Sequence, residues 1–267
     1  MSERIFHRIR LSAPEAPGGE HGVRTITLAY PERRNAIGPV MTNELLYALG
    51  DAMEDSAVKV IVLTGEGKAF SAGGDFAQMS GGPDVTALAH KGDYADLLLA
   101  LWRSDKPVIA KVNGHAMGGG LGLVAASTFA IASSEAQLGT PEINVGLFPM
   151  MIMAILERLV PRRRLVKMML LGEKLSAAEA AQIGLLNLSV KPEELDAAVQ
   201  SLATELASKS PLTLKLGLRA LLAQEDLPLD RAIPLLRDKL AECLATNDAR
   251  EGLTAFLEKR APEWSGT

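Results

Sequence analysis

Two glycine-rich turns are the parts of this sequence best suited to hold a developing negative charge. The first is Phe70-Ser71-Ala72-Gly73-Gly74-Asp75-Phe76, which follows a β-branched run ending at Leu63. The second is Asn113-Gly114-His115-Ala116-Met117-Gly118-Gly119-Gly120, which follows the run 108–112 and opens a helix. Each offers backbone N–H groups with no side chain in front of them, and the second adds the partial positive charge of a helix N-terminus. Two such N–H groups converging on one oxygen form an oxyanion hole. Taken alone, either turn is better served by a plain tight-turn reading. A nucleotide-phosphate loop is a third reading, but the glycines lack the GxGxxG spacing and no GxxxxGK[ST] occurs. Metal chemistry has little to build on. Cys243 is the single cysteine, which excludes an internal disulfide, and His7, His21, His90 and His115 show no HxxxH or HxH spacing.

The elements that must position these turns read as α/β over the first two-thirds of the chain. Residues 4–11 and 23–29 alternate apolar and polar side chains around Gly18-Gly19, predicting an opening hairpin. Pro39 starts a helix whose Leu45, Leu46, Leu49, Ala52 and Met53 share one face. Val58 to Leu63, Val108 to Val112 and Phe129 to Ala132 are short β-branched or apolar runs, the pattern of buried parallel strands joined by right-handed crossovers. No charge falls between Lys111 and Glu135, a stretch long enough to cross a bilayer, but Gly118, Gly119, Gly120 and Gly122 make a buried central element of a globular domain the better reading. After about residue 148 the strand signal fades and helices take over. Ser176-Ala177-Ala178-Glu179 is a capping box and Gly184 closes that helix. Pro192 opens the next, with Leu195, Ala198, Val199, Leu202, Ala203 and Leu206 on one stripe. Residues 211–260 carry more leucine than a thin terminal layer needs, which predicts subunit packing. Met150, Met151 and Met153 read as core, and Arg162-Arg163-Arg164 as a solvated helix start.

Composition excludes several partners. The 267 residues hold 28 Lys plus Arg against 32 Asp plus Glu, a net charge of −4, so a nucleic-acid binder is disfavoured. The first twenty residues carry charges every few positions and no apolar core, unlike a signal peptide. A cytoplasmic protein with no membrane partner is expected.

Five segments in order resemble the crotonase (enoyl-CoA hydratase/isomerase) superfamily. Pro31-Glu32-Arg33-Arg34-Asn35-Ala36 is similar to its PxxxNA stretch, and Phe70 to Asp75 to its FxAGxD turn. Lys106 to Ala110 with Asn113 to Gly120 is similar to KPVIA-x-x-NG-x-x-x-GGG. Gly139-Thr140-Pro141-Glu142-Ile143 with Gly146 to Pro149 is similar to G-x-PE-x…G-x-x-P, and Leu171-Gly172 with Ser176 to Leu185 to LTG…SAxEAxxxGLV. The resemblance implies a superhelix of repeated ββα units over residues 1–200. It also implies a C-terminal helical region, 201–267, that assembles trimers or dimers of trimers. It implies a coenzyme A thioester as substrate, with coenzyme A part of the substrate and no separate cofactor. The hole donors would be the N–H groups of Gly74 and Gly119. Ala72, Gly74, Asp75 and Phe76 would lie along the adenine and pantetheine end. Arg33, with Arg34, would reach the nucleotide phosphates beside Ala36, and Met117 would wall the acyl group.

Where the sequence departs from the family, it narrows the reaction. A two-carboxylate hydratase carries Glu two residues after the third glycine, and here that residue is Gly122. The nucleophilic Asp of dehalogenase-type members would fall at Pro149, and the second acid of dienoyl isomerases at Met150. Glu142 is the carboxylate left at a matching site. Its plain reading is a first-turn helix acid after Pro141. Its family reading is a single base that moves a proton between C2 and C4 of a 3-enoyl thioester, with apolar neighbours raising its pKa. A hydratase, or a thioester binder with little turnover, stays open beside it.

Overall fold

A computed structural model describes residues 4–12, 22–79 and 88–267. Ten strands form two sheets. The larger runs β1 (Ile9–Leu11), β2 (Val23–Leu28), β3 (Val60–Gly65), β5 (Val108–Val112), β7 (Phe129–Ser133) and β10 (Leu188–Val190), in that spatial order. Strands β1 and β2 are antiparallel, with Ile9 opposite Leu28, as the opening hairpin requires. The remaining neighbours are parallel. Gly18-Gly19 lies outside the described residues.

Every residue of β3 is buried, which is why it reads as an unbroken apolar run rather than an alternation. The alternation is still there, because each face meets a different layer. Ile61 and Leu63 join the main core, together with Met41, Leu45 and Leu49 of helix α1 (Pro39–Glu54). Val60 and Val62 face the other way, with Ile109 and Ile131, against Leu195, Val199, Ala203 and Ala207. Those four residues belong to the helix Leu195–Ala207, whose predicted apolar stripe therefore covers the outer face of the large sheet.

The smaller sheet was invisible in the sequence. It holds β4 (Ala69–Ser71), β6 (His115–Met117), β8 (Gln137–Gly139) and β9 (Lys174–Ser176), in that order. Each strand has three residues, too few to display a period of two. Two of them, β4 and β6, lie inside the segments read above as turns, and β9 and β10 lie in the stretch expected to be helical. Each small strand contributes one side chain to the main core: Phe70, Ala116, Leu138 and Leu175. Along the chain the strands come in pairs, β3 then β4, β5 then β6, β7 then β8. The first of each pair enters the large sheet and the second the small one. This is the repeated ββα unit, with helix α4 (Gly119–Ala126) following β6.

The charge-free stretch after Lys111 resolves into the end of β5, then β6, α4 and β7. No helix of the described residues is long and apolar enough to cross a membrane. The Ser176–Glu179 capping box forms as expected: Ser176 Oγ accepts from Glu179 N at 3.2 Å, and Glu179 Oε2 accepts from Ser176 N at 2.9 Å. Met153 packs on the core, but Met150 and Met151 do not: they are 65% and 51% exposed on the helix Met150–Leu159. Three helices end the chain, Pro211–Gln224, Leu229–Leu244 and Asn247–Glu258. Their described residues bury little beyond Ala232, Asp248 and Ala255, and leave Leu229, Ile233, Leu240, Leu253, Phe256 and Leu257 open.

Candidate active site

The first glycine turn is clamped by the segment that precedes α1. Asn35 is fully buried with φ of +55°, a left-handed conformation that Asn tolerates better than most residues. Its Oδ1 accepts from Tyr30 N, and its Nδ2 donates to the carbonyls of Glu66 and Ala69 at 3.0 and 2.9 Å. That fixes the main chain beside it, which then grips the turn: Ala72 N donates to Arg34 O, Ser71 Oγ to Asn35 O, Ile37 N to Gly73 O and Asp75 N to Ile37 O, all within 2.9 Å. In this parallel bridge between Ile37 and Gly74, the N–H of Gly74 is the group left over. It donates to no described residue. Asp75 is buried and its Oδ1 accepts from Gln78 N at 3.2 Å, capping the short helix Phe76–Met79.

The second turn hangs on the small sheet. Strand β6 lies between β4 and β8, and Gly118 N donates to Gly139 O at 2.9 Å. Gly118 has φ of +49° and ends the strand, and Gly119 starts α4, so its N–H is one of the unpaired donors of a helix N-terminus. It too meets no described acceptor. The two turns touch. A β-carbon placed on Gly73 would stand 2.9 Å from Met117 O, and one on Gly120 would stand 2.6 Å from Ser71 Cβ.

Glu142 comes from the next repeat, in a 3-10 turn, Pro141–Val145, that follows β8. Its carboxylate reaches back over the second glycine turn. A β-carbon on Gly118 would meet Glu142 Oε1 at 2.7 Å. The other oxygen, Oε2, is buried and has no hydrogen-bond partner among the described residues. Burial disfavours the charged form and raises the pKa above the ordinary 4.5, with a hydrogen bond from its own backbone N–H opposing.

Sequence reasoning missed Tyr94. It opens helix α3 (Tyr94–Trp102), capped by Asp93, and its hydroxyl donates to Gly119 O at 2.5 Å. Burial, and then the negative charge of Glu142, push the phenol well above its ordinary value of 10. The sequence did hold a signal. Tyr94, Leu97, Leu98 and Leu101 fall at i, i+3, i+4 and i+7, so the phenol sits on the core-facing stripe and needs a polar partner there.

The other expected positions are placed less uniformly. Ala36 is half-buried within the clamp, Ala72 is exposed at its edge, and Phe76 is 50% exposed just beyond it. Arg33 is exposed in the 3-10 turn Pro31–Arg33 that leads into the clamp. Met117 is buried in β6. His115 accepts from Gln137 N through Nδ1 at 3.0 Å, a structural contact between β6 and β8. Arg164 pairs with Glu173 and Glu179, whereas Arg162 is 82% exposed along its side chain. Gly122 lies inside α4 and not in a turn, and has no positive φ. Among the described residues no group of three or more His, Cys, Asp or Glu could hold a metal ion.

The family model for enoyl-CoA hydratase/isomerase matches residues 18–267. A short-chain-enoyl-CoA hydratase from Clostridium acetobutylicum is 33% identical over 251 residues, spanning 91% of this chain and 94% of its own. The human mitochondrial enoyl-CoA hydratase domain-containing protein 3 is 35% identical over 246 residues, spanning 91% and 81%. The crystal structure of an enoyl-CoA hydratase from Mycobacterium smegmatis is similar with a TM-score of 0.88 and 33% identity, covering 97% of this chain and 99% of that one.

Proposed function

The chain belongs to the enoyl-CoA hydratase/isomerase family and has the crotonase fold, and on that premise we propose that it moves the double bond of a 3-enoyl-CoA into conjugation as a one-base isomerase. The N–H groups of Gly74 and Gly119 take the thioester oxygen. Glu142 removes a proton from C2, and the electron pair delocalises over C2 to C4 and onto the thioester oxygen as a dienolate. Glu142 then returns that proton to C4, which leaves the double bond between C2 and C3. Atoms and electrons balance within substrate and enzyme, so the step calls for no separate cofactor.

The observation that carries this reading is the state of Glu142: one buried carboxylate oxygen without a partner among the described residues, on a carboxylate that lies against Gly118, the residue before the unpaired N–H of Gly119. A base that must accept a proton, hold it and give it back is favoured by a raised pKa and an open lone pair. The coenzyme A part would lie along Ala36, Ala72, Gly74, Asp75 and Phe76, with the exposed Arg33 guanidinium facing phosphate and Met117 on the acyl side.

A second reading, hydration of a 2-enoyl thioester, is favoured by the names of the relatives above. It needs a second group to work with water, and Gly122 supplies none. Parallel absorbance assays separate the two, because isomerisation of a 3-enoyl thioester creates the conjugated chromophore and hydration of a 2-enoyl thioester destroys it. Loss of absorbance with the 2-enoyl substrate, and no gain with the 3-enoyl one, would refute the isomerase. Binding with neither change would make the protein a thioester binder.

The open leucines of the three terminal helices support an assembly: the expected boundary at residue 201 falls inside the helix Leu195–Ala207, which packs on the large sheet, so it is the three helices from Pro211 onward that we assign to trimer or hexamer contacts.

A further inference from the structure

We propose that Tyr94 is a positioning and specificity residue: its hydroxyl fills the place from which a second acid would act, and it ties down the Gly119 carbonyl, leaving Glu142 alone to move the proton. The inference rests on the one-base reading and deepens it. Its main support is a coincidence of positions. A β-carbon at residue 122, where a two-carboxylate hydratase begins its extra acid, would stand 2.3 Å from Tyr94 Oη and 2.4 Å from Ile152 Cγ2. The space that side chain would need is already taken by a phenol arriving from a different helix.

The hydroxyl has one proton, and it is spent on Gly119 O at 2.5 Å. A β-carbon on Gly119 would touch the same phenol, 3.4 Å from Cζ and from Oη, so the ring lies against the residue whose N–H is a hole donor. Holding that carbonyl fixes the peptide that follows Gly119 and so steadies the first turn of α4. Burial and the nearby Glu142 charge keep the phenol protonated, so it does not act as a base toward water. With the phenol there, no room is left beside residue 122 for a water molecule.

The test uses the full-length protein and two variants that displace the hydroxyl by different routes. Tyr94→Phe removes the oxygen and keeps the ring. Gly122→Ala leaves Tyr94 intact but drives a β-carbon into its oxygen. Wild-type turnover of a 3-enoyl thioester is measured first, and its absence overturns the one-base reading itself. With an active wild type, each variant should lose about tenfold in kcat for isomerisation with KM little changed, the scale of losing one buried hydrogen bond. The ratio of 2-enoyl hydration to isomerisation should rise, and the acid limb of the pH profile should move down toward the ordinary carboxylate range as water reaches Glu142. A merely structural tyrosine would move none of these in a variant that melts near wild type. If either folded variant keeps the wild-type kcat, ratio and acid limb, the role assigned to Tyr94 is wrong.

Discussion

Replacing Gly118 by alanine attacks the site through one atom. The residue holds φ of +49° and ψ of −121°, a backbone conformation that a side chain disfavours by about 1–3 kcal/mol. The new methyl would also stand 2.7 Å from Glu142 Oε1, where ordinary contact begins at 3.4 Å, so the carboxylate or the turn must give by about 0.7 Å. A misplacement of roughly 1 Å in a reacting group costs on the order of 10²-fold in rate. Gly118→Ala should therefore lower both the melting temperature and isomerisation, the latter by about one to two orders of magnitude. Gly146→Ala separates the two effects, because Gly146 has φ of +74° but open space around it. That variant should lose stability, by about 1–2 kcal/mol, and keep its rate. Scanning calorimetry and the 3-enoyl absorbance assay on both proteins decide the matter. A Gly118→Ala enzyme with wild-type melting and wild-type kcat would refute the placement of Glu142 against this turn.

Glu142→Gln keeps shape but removes the base, so acyl-CoA affinity by titration calorimetry should survive while 3-enoyl turnover drops on the order of 10²-fold or more. Because burial raises the Glu142 pKa, kcat/KM should rise with pH through a limb centred above 4.5. By linkage, a raised carboxylate pKa favours the folded state below the unfolded value and loses that contribution as pH rises through the folded one. The Gln variant should thus melt no lower than wild type at neutral pH. Light scattering at micromolar concentration should find a trimer or hexamer, and Leu240→Glu or Phe256→Glu should shift it toward smaller species; a wild type at 28.4 kDa alone would contradict the assembly.

What could be read from the residues follows from how each position signals. The large-sheet strands announce themselves because β3, β5 and β7 are each long enough and apolar enough to stand out. The capping box at Ser176 is legible for a local reason: both partners lie within four residues. Glu142 and the glycines are candidates through the order of several short motifs, none of which speaks alone. The small sheet could not be seen, since three-residue strands carry no periodicity and are defined by neighbours more than twenty residues away. Asn35 looked like one letter of a motif, whereas its work is to brace the turn at Gly74 through three hydrogen bonds. Tyr94 escaped because its meaning is relational. A phenol at 94 and a glycine at 122 are unremarkable until the fold sets one in the room left by the other.

The unpaired donors at Gly74 and Gly119 are main-chain groups, and this has a consequence for inheritance. A point mutation other than to proline leaves a main-chain N–H in place, so codon changes cannot delete the half proposed to hold charge; they can only bend it. The half proposed to select a reaction lies in three side-chain positions, 94, 122 and 142, drawn from two helices and a 3-10 turn. On the proposed roles, drift is free to change what happens to a thioester while the main-chain donors persist. A side chain at 122 meets Tyr94 Oη first, so any acid gained there comes with a displacement of that phenol.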